Sequence, residues 1–170
     1  MVVLRKRVHE DRVFGKVRDD HKYNYMGIFV DNPKSFYTMI NKLLEKNGIE
    51  RHAYDKEVKD PHVTFRHESE NKPFLDDLFG KEIPITITHY GYDDSLGTEG
   101  VKIKFNSIPN IPELKEMIRT NGDRIGGMDK YHITLSLKVG AQAKDTKSIK
   151  EWTELKNKET IKMVIDGFVR

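Results

Sequence analysis

The sequence predicts an α+β fold built from two like halves, and three observations carry that prediction. Several stretches alternate apolar and polar residues with the period of a half-buried strand. Two segments carry an apolar stripe at helical spacing. The pattern His, apolar, Thr, apolar occurs twice, as His62-Val63-Thr64-Phe65 and as His132-Ile133-Thr134-Leu135. A shuffled chain of this composition contains about 0.05 copies of that pattern, so two copies arise only about once in a thousand shuffles.

Composition sets the bounds. A chain of 170 residues supports one well-buried core rather than two independent ones. At 36% hydrophobic and 34% charged residues it has a generously solvated surface. No apolar run approaches the ~18 residues that cross a bilayer, so no membrane partner is expected. Charge rather than an apolar segment follows Met1 to Arg7, so no secretory signal is expected. The absence of cysteine excludes disulfides, thiolate zinc sites and cysteine nucleophiles, and suits a cytoplasmic protein. The net charge of +3 is mild. Residues 1–22 hold seven basic and four interspersed acidic side chains, which sets off a basic N-terminal arm from a single domain over 23–170.

In chain order, Tyr23 to Val30 is aromatic and β-branched enough for a strand. Asn32 and Pro33 supply an N-cap and a first helical residue. Phe36, Met39, Ile40, Leu43 and Leu44 then form the apolar stripe of a helix over 33–47 that Asn47-Gly48 stops. The first His-Thr strand follows over 61–66. Phe74 to Phe79 suggests a short helical turn ended by Gly80. Ile83, Ile85 and Ile87 alternate as a strand, Tyr90 to Gly100 reads as a turn-rich excursion, and Val101, Ile103 and Phe105 alternate again. Ile111, Leu114, Met117 and Ile118 mark a second helix over 111–121, ended by Asn121-Gly122. A Gly126-Gly127 loop delivers the second His-Thr strand over 131–137. A polar segment around Trp152 leads to a closing strand over 161–169.

Strand 23–30, helix 33–47 and strand 61–66 thus match strand 100–105, helix 111–121 and strand 131–137 in order. Two such units about a pseudo-twofold axis bring the His-Thr faces together across a cleft. Successive side chains of a strand point to opposite faces, so His62 shares a face with Thr64, and His132 with Thr134. Such a face suits a phosphate ester. Two histidines divide the base and acid roles, and two hydroxyls bind the non-bridging oxygens. The same alternation adds Arg66 and Ser136 to these faces. Tyr25, Tyr90, Tyr92 and Tyr131 are candidates to stack a base. His52, His67 and His89 lack partners at metal-ligand spacing, and no glycine-rich stretch has a P-loop pattern. No metal and no cofactor is expected.

Paired His-apolar-Thr-apolar strands, 70 residues apart in a chain of this size, resemble the 2H phosphoesterase superfamily. The resemblance spans roughly residues 23 to 170. It implies a bilobal α+β fold, with two antiparallel sheets related by a pseudo-twofold, outer helices and a central catalytic cleft. It implies metal-independent chemistry on 2′-linked or cyclic phosphates, with His62 and His132 as the catalytic pair. Thr64 and Thr134 match the phosphate-binding hydroxyls, and Arg66, Ser136 and Tyr131 flank them as substrate-binding candidates. The leading expectation is a monomeric phosphodiesterase acting on RNA 2′,3′-cyclic phosphate ends. The alternatives are hydrolysis of cyclic or 2′-5′ oligonucleotide signals, as in viral evasion of host defence, and a non-catalytic RNA- or nucleotide-binding module.

Overall fold

The computed structural model describes residues 12–13, 23–67 and 78–169, with side chains over 26–65 and 78–167. Its elements run β1 (Arg12–Val13), β2 (Tyr23–Phe29), α1 (Pro33–Lys46), β3 (Lys56–Glu57), β4 (His62–His67), β5 (Glu82–Asp93), β6 (Thr98–Phe105), α2 (Pro112–Ile125), β7 (His132–Leu137) and β8 (Trp152–Val169). The chain is α+β. The strands form one antiparallel sheet in the order β3-β7-β6-β5-β8-β2-β4, with β1 also paired to β8. Two separate sheets were the expectation. One sheet forms instead because β5 and β8 pair along their length and β8 continues onto β2. The polar segment around Trp152 belongs to that 18-residue strand, since ladder bonds are made by backbone groups whatever the side chains. Leu155 supplies its buried anchor. Although four strands separate β4 from β7 in the pairing order, the two come within 8 Å between Cα atoms. The sheet is therefore bent enough to set the two His-Thr strands side by side.

Both helices cover the sheet with the expected stripes. In α1 the Ser35 amide donates to Asn32 Oδ1 at 3.1 Å, and Phe36, Tyr37, Ile40, Leu43 and Leu44 are buried. Gly48 takes φ +68° just past its end, a conformation that costs glycine little. In α2, Leu114, Met117 and Ile118 are buried. This helix runs through Asn121-Gly122 and ends only at Gly126, which is left-handed at φ +109°. Asn121-Gly122 does not stop it because both positions serve packing. Asn121 is 2% exposed, and a Cβ on Gly122 would lie 2.8 Å from Met128 Sδ.

The excursion expected after Tyr90 is likewise mostly strand: β5 continues to Asp93, and the turn to β6 closes with Gly97 at φ +71°. Asp93 Oδ1 caps that turn by accepting from the amides of Ser95 and Leu96. Of the helical turn expected over 74–79, only Leu78 and Phe79 lie within the described residues, and both are buried. Among the described residues no helix is long and apolar enough to cross a membrane.

The sequence repeat reappears in the pairing register. On β2 and β4, Gly27 faces Thr64, Ile28 faces Val63 and Phe29 faces His62. On β6 and β7, Gly100 faces Thr134, Val101 faces Ile133 and Lys102 faces His132. Each ladder shifts register just before its glycine. Each then extends by one bond, Val30 N–H to Pro61 O at 3.2 Å and Ile103 N–H to Tyr131 O at 3.1 Å. The opposite faces of β4 and β7 anchor the core, with Val63 at 1% and Ile133 at 0% exposure. Truncating either to Ala is expected to lower unfolding stability by roughly 1–4 kcal/mol in urea titrations. An unchanged midpoint would mean that the strand faces are reversed.

Candidate active site

The alternation that buries Val63 and Ile133 turns His62, Thr64, His132 and Thr134 toward a cavity of about 420 Å³ that all four line. Its size falls within the range of small-molecule pockets. The two imidazoles are held alike. His62 Nδ1 lies 2.9 Å from the carbonyl of Asp60, and His132 Nδ1 lies 2.9 Å from that of Lys130. A carbonyl only accepts, so each Nδ1 carries the hydrogen, and in the neutral ring each Nε2 is the acceptor. Phe29, opposite His62 in the ladder, stacks on its ring at 5.1 Å between centroids.

The surroundings of the two strands are otherwise unequal. Thr134 is 8% exposed, its Oγ1 2.8 Å from Thr146 Oγ1 and 3.3 Å from the Ala143 carbonyl. Thr64 is more open. Burial pushes the His132 imidazole below its ordinary pKa, and the nearby Lys147 ammonium adds to this against the hydrogen bond to Lys130. His132 is thus biased toward the neutral form, a base through Nε2.

The other expected site residues divide. Tyr131 lines the cavity wall but is 1% exposed, with its hydroxyl donating to the Ile118 carbonyl. It serves packing there rather than base stacking. Ser136 lies beyond the cavity at 0% exposure, donating to Glu99 Oε1 at 2.6 Å and accepting from the Tyr54 amide at 2.9 Å. Glu99 is itself fully buried and also accepts from Tyr90 Oη and from Arg51 through Nε and Nη2. Tyr90 and Ser136 are therefore parts of a satisfied buried network. It fixes the segment before β3 onto β6 and β7. Tyr92 is 43% exposed but stacks on His52 at 4.0 Å, and His52 Nε2 is 3.0 Å from Asp94 Oδ1. His89 Nδ1 is 2.8 Å from Thr88 Oγ1. The side chains of Tyr25, Arg66 and His67, and the arm over 1–22 apart from Arg12 and Val13, lie outside the described residues. Among the described residues, no three His, Asp or Glu side chains gather as a metal-binding group.

Sequence patterns left several wall residues unmarked. Asn121, the expected helix stop, donates through Nδ2 to the Thr64 carbonyl at 2.8 Å and to Tyr131 Oη at 3.3 Å. Its Oδ1 accepts from Arg124 Nη2 at 2.6 Å. One amide thus ties α2 to β4, to the start of β7 and to a cavity-lining guanidinium. Lys144 and Lys147 also line the cavity, from a 3-10 helix at Ala143–Ser148. Only their spacing of three in an otherwise polar segment could have marked them. Among the described residues no carboxylate lines the cavity.

No protein-family model matches the chain, and no curated protein matches it.

Proposed function

We propose that this protein is a metal-independent phosphodiesterase of the 2H type, opening RNA 2′,3′-cyclic phosphate ends or related 2′-linked nucleotides. The observation that carries this reading is the convergence of both His-Thr pairs on one cavity, each imidazole with Nδ1 tied to a backbone carbonyl. The repeated ladder register supports a further reading, in which the bent sheet works as two lobes about a pseudo-twofold. Each lobe then contributes one histidine and one threonine.

The chemistry follows from the unequal surroundings. His132, biased neutral, takes a proton from water through Nε2 as the water oxygen bonds to phosphorus. His62, starting protonated, gives its Nε2 proton to the ribose oxygen as the phosphorus–oxygen bond to it breaks. Each role is worth typically ~10²–10⁴ in rate. Thr64 and Thr134 donate to the non-bridging oxygens, where charge builds in the transition state. Thr146 can donate to Thr134 Oγ1 while the Thr134 hydroxyl donates to the Ala143 carbonyl at 3.3 Å, a long bond that a phosphoryl oxygen can replace.

The test is a panel of cyclic-phosphate-ended RNA, 2′-5′ oligoadenylate, and cyclic di- and trinucleotides, assayed in chelator. Turnover of at least one is expected. Failure of all, or activity that returns only with added zinc or manganese, overturns the proposal. The pH profile of kcat/KM is expected to be a bell between roughly pH 5 and 8.5. Because His132 is displaced downward from 6.5, the acid limb should lie below that value, although the apparent constants belong to the coupled pair. His132→Gln should flatten the acid limb and His62→Gln the alkaline limb, read in single turnovers. The reverse outcome exchanges the two roles, and a flat wild-type profile removes the acid–base pair.

A further inference from the structure

We propose that the cleft holds a second phosphate beside the one attacked, through Lys144, Lys147 and Arg124, and so selects an oligonucleotide over a cyclic mononucleotide. This rests on the phosphodiesterase reading of the same cleft. One diester carries one negative charge, which a protonated His62 already balances. Among the described residues three more cations line the cavity and no carboxylate does. Lys144 and Lys147, both exposed at the cavity mouth, repel each other, and their field draws an anion in.

The two lysines stand on a fixed turn. Thr146, between them, is 0% exposed, and its hydroxyl meets that of Thr134 at 2.8 Å. Its methyl occupies the space that Gly100 leaves by lacking a Cβ, which would lie 2.6 Å from Thr146 Cγ2. Ile149 anchors the end of the turn at 3% exposure. Asp145 lies between the lysines in sequence but does not line the cavity, and among the described residues neither lysine has an ion-pair partner. Lys147 is near enough for its charge to act on His132. Arg124 enters from α2, oriented by Asn121. These cations therefore share one cavity with the reacting groups, where a neighbouring phosphate of the same strand can meet them.

The experiment compares a 2′,3′-cyclic mononucleotide with a dinucleotide ending in the same cyclic phosphate. It also compares adenosine 3′-monophosphate with adenosine 3′,5′-bisphosphate as ligands in calorimetry. Wild-type protein should prefer the dinucleotide in kcat/KM and the bisphosphate in Kd, both preferences shrinking with added salt. Lys144→Gln/Lys147→Gln should cut both preferences about tenfold, with circular dichroism unchanged. Arg124→Lys should retain more of the preference than Arg124→Gln. Absence of any wild-type preference, or equal losses on both members of each pair, overturns the subsite while leaving the hydrolytic reading standing. Conversely, a bisphosphate preference that the lysine variants lose, without turnover of either nucleotide, keeps the subsite and removes the hydrolytic reading.

Discussion

Replacing His62 or His132 by Ala should lower the single-turnover rate by roughly 10²–10⁴-fold in each case while the protein stays folded. Both imidazoles are half-buried at the cavity wall, and neither fills the core that Val63 and Ile133 occupy. His62→Ala forfeits its stack on Phe29 and His132→Ala a ring beside Lys147, contacts that a cooperative fold of this size can spare. The double variant should be little slower than the worse single one, because an acid and a base that act in one step fail together. Far-ultraviolet circular dichroism and a urea midpoint establish the fold, and product formation at saturating enzyme gives the rate. A near-wild-type rate in either single variant would end the two-histidine mechanism.

Gly27→Ala should destabilise the protein by about 3 kcal/mol or more, and prevent folding if the reserve is smaller. A Cβ on Gly27 would run into the Val63 carbonyl oxygen, a ladder atom that cannot swing aside as a side chain would. The displaced strand is β4, which carries His62 and Thr64, so activity should fall together with stability. Gly100→Ala repeats the experiment in the other ladder. There the new methyl would lie 2.8 Å from Ile133 O and 2.6 Å from Thr146 Cγ2, and a smaller loss is expected because the ladder carbonyl is overlapped less than at Gly27. Gly140→Ala is the control. It has left-handed φ at +86° but nothing within 4 Å, so only the backbone cost of about 1–2 kcal/mol applies. Urea unfolding of the three variants checks the order. Gly27→Ala no worse than Gly140→Ala would mean that β2 and β4 do not approach as closely as the register requires.

Period and punctuation in the sequence determined the local structure. Alternation defined β4 and β7 and the faces of His62, Thr64, His132 and Thr134, because a strand's side chains must alternate. The stripe from Phe36 to Leu44, with Asn32-Pro33 before it and Asn47-Gly48 after it, defined α1 to within a residue. What sequence could not decide was whatever depends on a distant partner. Asn121-Gly122 reads as a helix stop until Thr64, Tyr131 and Met128 are in place around it. The polar run from Trp152 has no strand-like apolar period, yet β5 supplies a ladder for its backbone. Ser136 shares a face with His132, but Glu99 draws it into a buried network away from the cavity. Lys144, Lys147 and Arg124 reach one cleft from segments that only the folded sheet brings together. Alternation and capping act within a few residues and so can be read in the chain. Packing, burial and charge depend on groups brought together from far apart in it, and the tertiary structure alone decided them.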